Sequence, residues 1–252
     1  MNAFRSGIVE KANPPPRWPG YTIWEEVKDL PRAIEQPAMG YKCDRFGHTH
    51  NWTKRSIFWD LPYWSTNLIR HNLNVMHIEK NVFDNIINTV IDVKGKTKDN
   101  PKARLDLEEI CRRPALHLIE DGNGKLKQPK AIFSLEKEDK VRLCRWIQGL
   151  KFSDGYISNL RRCVDLKENK LTGMKSHDCH VFMERLISIA FREFLPQVVW
   201  DPLTELSIFF RDLCSSKLLV DRLEKQENDI AVILCKLEKV FPLGFFDSME
   251  HL

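Results

Sequence analysis

Residues 73 to 81 read LNVMHIEKN, and within them Asn74 and His77 stand three apart. On a helix that spacing puts an amide and an imidazole on one face, able to touch a common ligand. An aspartate in the first position would offer a carboxylate to a divalent ion. Asparagine keeps an acceptor oxygen but lacks the charge. The plainer reading of the pair is a solvated polar stripe. Cys43, His48 and His50 form C-x4-H-x-H, two ligand types that suit zinc. A closed zinc site needs four donors, and no fourth lies nearby in the sequence. SHDCH sets His177, Asp178, Cys179 and His180 in a row, a density that invites a metal or a Cys–His nucleophile. Successive residues do not share a helix face, however, so Ser176 or Asp178 is read as a helix cap and Cys179 as a packing residue. Basic residues gather at Lys94, Lys96 and Lys98, at Arg112 and Arg113, and at Arg161 and Arg162. With Trp146 and Tyr156 close in sequence they could contact phosphates; the alternative is ordinary solvated loops. No glycine-rich phosphate loop and no G-x-S-x-G elbow occurs.

These residues need helices to position them. Ser65 can cap a helix over about 66–93, with Leu68, Ile69, Leu73, Val75, Met76, Val82, Phe83, Ile86, Ile87, Val90 and Ile91 on one half. Asn67, Arg70, Asn74, His77, Asn81, Asp84 and Asn88 fall on the other. Asn72, Glu79 and Lys80 break the pattern by pointing into the apolar half, where each needs a partner. ARLDLEEICRR reads as a short helix stopped by Pro114, and EDGNGKLKQPK as a loop or hairpin tip. Ser134 is placed to cap LEKEDKVRLCRWIQGL, with acidic residues early and Gly149 near the end. ISNLRRCVDL reads as another short helix. Residues 179–195 form a strong helix that Pro196 ends. Asp201 and Pro202 are set to open the next one, and a last helix spans roughly 221–240. No alternating strand run is convincing, so the fold class is mainly α. Residues 1–56 carry four prolines in the seven residues of NPPPRWP and little periodicity, which reads as irregular, extended or disordered chain.

The chain has 252 residues, 39 of them basic and 35 acidic, for a net charge of +4. That excess permits a nucleic-acid partner without arguing for one. No apolar run of about 18 residues and no signal-peptide core is present, so neither a membrane span nor secretion is expected. Seven cysteines are spread singly, with no C-x-x-C pair, as in a reducing compartment. Nothing points to a small-molecule substrate.

The long stretch from RSIFWDLPYW through RHNLNVMHIEKN to LDLEEICRRP closely resembles the transposases of plant CACTA (En/Spm) DNA transposons. The likeness continues through SDGYISNLRRCVDL, GMKSHDCHVFMERL, LTELSIFFRDLC and ILCKLEKVFPLGFFDSMEHL, and covers about residues 52–252. The last third resembles the uncharacterised domain that follows the core in that family. The resemblance implies a cut-and-paste enzyme built on an RNase-H-like core, whose three carboxylates hold two divalent ions such as magnesium. It also implies a nuclear location. The family's Asp-x-x-His signature falls on Asn74 and His77, so its charged member is replaced here. The motifs expected to carry the catalytic carboxylates, one like DG-NPF and one like PFER, do not occur in the chain.

Beyond the irregular segment over 1–56, the resemblance implies a helical remnant of the transposase core over 57–175 and a C-terminal helical domain over 176–252. The expected function is that of a truncated, catalytically inactive transposase-like protein with residual binding to transposon-end DNA, to copies of itself or to full-length transposase. No cofactor is expected for this chain. A domesticated DNA- or protein-binding module, or the middle part of an active transposase, are the other readings.

Overall fold

The computed structural model describes residues 18–32, 34, 46–48, 50–66, 75–110, 113–153, 155–157 and 159–246. Cys43, Asn74 and Arg112 lie outside these residues. The chain divides into two compact units, Met1–Leu73 and Asn74–Leu252. No helix among the described residues is long and apolar enough to cross a membrane.

In the first unit, a stretch expected to be irregular contains helix α1, Gly20–Val27. The Pro19 carbonyl accepts from the Thr22 and Ile23 N–H groups (3.1 and 3.3 Å), so proline sits where a helix start tolerates it. Gly20 is required there: a β-carbon would lie 2.1 Å from the Ser65 carbonyl oxygen. Trp52 meets Trp59 edge-on at 5.4 Å, and Trp59 meets Trp64 at 5.6 Å. Asp60 binds Arg55 (3.2 Å) and Arg32 (3.5 Å), and the Arg55 guanidinium lies 5.4 Å from the Trp24 ring centre.

The second unit is mainly α. Helix α2 spans Val75–Val90, within the range expected from periodicity. Its apolar stripe, Val82, Phe83, Ile86, Ile87 and Val90, is buried, while His77 on the polar half is exposed. Helix α3, Pro101–Ile110, opens on Asn100, whose side chain accepts from the Lys102 and Ala103 N–H groups at 3.1 Å each. Arg104, fully buried, forks onto Asp99 (Nη2–Oδ2 2.6 Å) and donates to the Leu116 carbonyl (3.0 Å). EDGNGKLK is a hairpin: β1 (Ile119–Glu120) pairs antiparallel with β2 (Leu126–Lys127), and the Asp121 carboxylate takes the Asn123 and Lys125 N–H groups.

Helix α4 is Lys137–Gly149, so it starts three residues beyond the expected Ser134 cap. The Ser134 N–H is used in a turn to the Ala131 carbonyl (3.1 Å), and the Lys140 N–H bonds the Glu136 carbonyl (2.9 Å). Glu138 and Asp139 still occupy the first turn, as the helix dipole favours. The described residues of ISNLRRCVDL do not form an α-helix. Leu160–Cys163 makes one 3-10 turn, and Val164–Asp165 (β3) pairs with Lys170–Leu171 (β4).

The strong helix expected over 179–195 begins earlier and is interrupted. Helix α5, Ser176–Val181, runs into a π-helical turn, Phe182–Leu186, and on into α6, Ile187–Phe191. Helix α7, Gln197–Leu213, also starts before its expected opening at Asp201 and Pro202. Pro196 ends the turn before it and accepts from the Val199 and Trp200 N–H groups (2.9 and 3.0 Å), so one proline serves as stop and start. Burial of Val199 rewards that earlier start, and Pro202 lies inside the helix instead. Helix α8, Val220–Val240, matches its expected span and packs on α7, with Lys236 binding both oxygens of Glu205 (2.6 and 2.7 Å).

One apolar core joins α2, α3, α4, α5, α6, α7 and α8. Phe83 of α2 meets Phe182 at 5.2 Å. Phe133, Phe241 and Phe245 stack in series at 4.9 and 4.2 Å and close the core after α8. The apolar half of α2 thus finds cover on residues 176–186, with Leu171 of β4 in the same core. Each such side chain, fully buried, contributes about 1.5–3 kcal/mol.

Candidate functional site

Two arrangements in the second unit bring chemistry-bearing side chains together. The first is built around Glu79, the residue that broke the apolar pattern of α2. Its side chain is fully buried, and Oε2 binds Nδ1 of His180 on α5. Nε2 of the same imidazole lies 3.6 Å from Oε1 of Glu184, one turn further along in the π-helical stretch. Cys214, at the C-terminal cap of α7, completes the group. One donor atom from each of Glu79, His180, Glu184 and Cys214 lies within 4.8 Å of all the others.

Local structure explains the convergence. In the π turn the Ile187 N–H bonds the Phe182 carbonyl, five residues back rather than four. The Ser207 hydroxyl of α7 donates to the neighbouring Met183 carbonyl (2.7 Å), which ties α7 to the widened turn. Turns of this kind are frequent at functional sites. The electrostatics of the group are those of crowded, dehydrated acids. Burial pushes the Glu79 carboxyl up to about 7, against the stabilising hydrogen bond and charge of His180. Burial, with the Glu79 and Glu184 carboxylates beside it, pushes the Cys214 thiol up to about 12. Oε1 of Glu79 and Oε1 of Glu184 are buried and accept no hydrogen bond among the described residues.

The second arrangement is a groove between the C-terminal end of α4 and the loop leading to Leu160. Arg145, Gln148, Lys151, Phe152, Asn159 and Arg161 line it. Arg145, Lys151 and Arg161 are exposed, as is the neighbouring Arg162. Its described lining holds three cations and no carboxylate; Asp154 lies outside the described residues. Phe152 and Tyr156 stack nearly parallel, 6.2 Å apart at 23°, with Tyr156 open to solvent.

The residues singled out from the sequence fall as follows. His77 is exposed. His48 is exposed while His50 is buried, and His50 Nδ1 accepts from the Trp52 N–H (3.2 Å) as its ring stacks on Trp52. In SHDCH the cap reading holds: Asp178 accepts from the Lys175 N–H (2.9 Å) and Cys179 is buried. His180 departs from it by joining the Glu79 group, and His177 contacts the Tyr156 carbonyl instead (3.0 Å). Lys94 and Lys96 are exposed and Lys98 is half-buried on a loop away from the groove lining. Arg113 donates to the Glu238 (2.9 Å), Val240 and Phe241 (2.8 Å) carbonyls at the end of α8. Arg161 lines the groove, joined by Arg145 and Lys151, which sequence reasoning missed. Glu184 and Cys214 were missed as well. Glu79 and His180 are 101 residues apart, a distance that no motif spacing covers.

Residues 213–252 match the model of a family described as a domain of unknown function, DUF4218. Domains of this kind are found in plant transposase-like proteins. Searches of curated proteins and of solved structures gave no match.

Proposed function

We propose that the second unit is a transposase-associated helical region that holds DNA in the groove between α4 and Leu160. The observation that carries this reading is the convergence of Arg145, Lys151 and Arg161 beside the Phe152–Tyr156 stack. Guanidinium and ammonium groups neutralise phosphates, and an exposed aromatic face gives an unpaired base a surface on which to stack. The match at residues 213–252 supports the association with transposases. The motif resemblance supports the finer placement beside a CACTA-type core, with transposon ends as the DNA and the nucleus as the place of work. The role proposed for the groove is to hold DNA.

The test is titration of labelled oligonucleotides, single-stranded and duplex, over a range of salt. Each phosphate contact should contribute a slope of about 0.9 in log K against log salt for duplex DNA and about 0.7 for single strands. Arg145→Ala, Lys151→Ala and Arg161→Ala should each weaken binding and flatten that slope. Tyr156→Ala should cost about 1–3 kcal/mol on single strands only. Lys125→Ala, on the hairpin, should change neither. A slope indifferent to all three cations would reject the groove, and magnesium-dependent nicking by the pure chain would reject a purely holding role.

A further inference from the structure

We propose that Glu79, His180, Glu184 and Cys214 form a binding site for a zinc-class divalent ion that ties α2, α5 and the end of α7 together. This inference is independent of the DNA groove. It rests on three observations. Four side chains from separate elements present donor atoms within 4.8 Å of one another. Two of them hold buried carboxylate oxygens that receive no hydrogen bond: Oε1 of Glu79, whose side chain is wholly buried, and Oε1 of Glu184, whose side chain is only 9% exposed. A buried acceptor without a donor is costly unless something else satisfies it. The cations within reach are too few: His180 lies between the two carboxylates, and Arg185 approaches only the other oxygen of Glu184, at 4.0 Å.

The donor chemistry selects the ion. Two carboxylate oxygens, one imidazole nitrogen and one thiol sulfur form a mixed set. Magnesium and calcium take oxygen ligands, whereas zinc accepts all three donor types. With metal–ligand distances of about 2.0–2.3 Å, a tetrahedral zinc brings its donors to roughly 3.3–3.8 Å from one another. Small rotations of side chains already within 4.8 Å reach that range. The ion would also invert the electrostatics of the pocket. A thiol resisted by two neighbouring carboxylates becomes a thiolate once a dication sits among them, and the site then releases a proton on binding. The competing arrangement is an imidazolium shared by Glu79 and Glu184, with the Cys214 thiol hydrogen-bonded to Glu184.

The experiment uses the full chain, stripped with chelator and dialysed against zinc, then against cobalt as a spectroscopic substitute. Zinc should bind with a stoichiometry near one and raise the melting temperature. Cobalt should give the visible bands of a tetrahedral site and a thiolate-to-cobalt charge-transfer band in the near ultraviolet. Cys214→Ser should abolish the charge-transfer band and weaken zinc at least tenfold, with its circular dichroism unchanged. Glu184→Gln should weaken zinc by a similar factor. Cys235→Ser, on the exposed face of α8, should change nothing. His48→Ala with His50→Ala should leave the spectrum intact, which separates this site from the C-x4-H-x-H motif. A charge-transfer band that survives Cys214→Ser, or a chain that takes up no zinc at micromolar concentrations, would overturn the proposal in favour of the shared imidazolium.

Discussion

Among single residues, Asp99 and Arg104 show how a buried charge is tolerated. Arg104 is fully buried and Asp99 nearly so, and the guanidinium makes a two-pronged contact with the carboxylate before reaching the Leu116 carbonyl. Removing one partner leaves the other charged and dry, which costs about 3–5 kcal/mol. Arg104→Met should therefore lower the denaturant midpoint by that equivalent, and Asp99→Asn by a comparable amount. Changing both together should recover much of the loss, since neither charge is then left buried without its partner. Equal, additive losses in a double-mutant cycle would show that the two residues act separately. Glu79 teaches a related lesson about reading sequences. Its place in the apolar half of α2 announced a buried acid in need of a partner, and that much was legible. The partner was not, because His180 sits in a motif that reads as a helix cap and Cys214 looks like one more packing cysteine.

Where elements begin and end, the sequence was clearest for long amphipathic stretches and least clear at prolines and bulges. Periodicity found α2 and α8 because each pairs one apolar stripe with a common core. Cap and first-turn preferences placed the start of α7 at Asp201 and Pro202, but Pro196 together with burial of Val199 outweighed that local preference. Periodicity read 179–195 as one regular helix. A π turn has no sequence signature of its own; it shows only in the backbone bonds and in the partner that secures it. Ser207 is that partner. Ser207→Ala should destabilise the chain by about 1 kcal/mol, the usual value of one hydrogen bond, and more if the Met183 carbonyl is left dry. The same change should loosen the spacing between Glu184 and Cys214, so zinc should bind less tightly even where the fold persists. Unchanged stability and unchanged zinc affinity would mean that packing alone sets the π turn.

For the molecule as a whole, the second unit has a core that its last segment completes. Phe241 packs on Phe133 and Phe245 stacks on Phe241, and Arg113 holds the carbonyls at the end of α8. The region that matches DUF4218 begins at residue 213, yet Ile233, Leu237, Val240 and Phe241 are buried in a core shared with α2. That match marks where similarity is recognised, not a body that folds by itself. A chain ended at Lys239 should lose its cooperative thermal transition; one that still melts sharply would show that the aromatic series is dispensable. Synthesis on the ribosome adds an order in time. The ring of Phe133 is made more than a hundred residues before the rings that cover it. Throughout that interval the nascent chain holds an open apolar face, a substrate for chaperones and proteases. Ribosome-stalled chains released just before and just after Phe245 has left the exit tunnel should differ sharply in protease resistance.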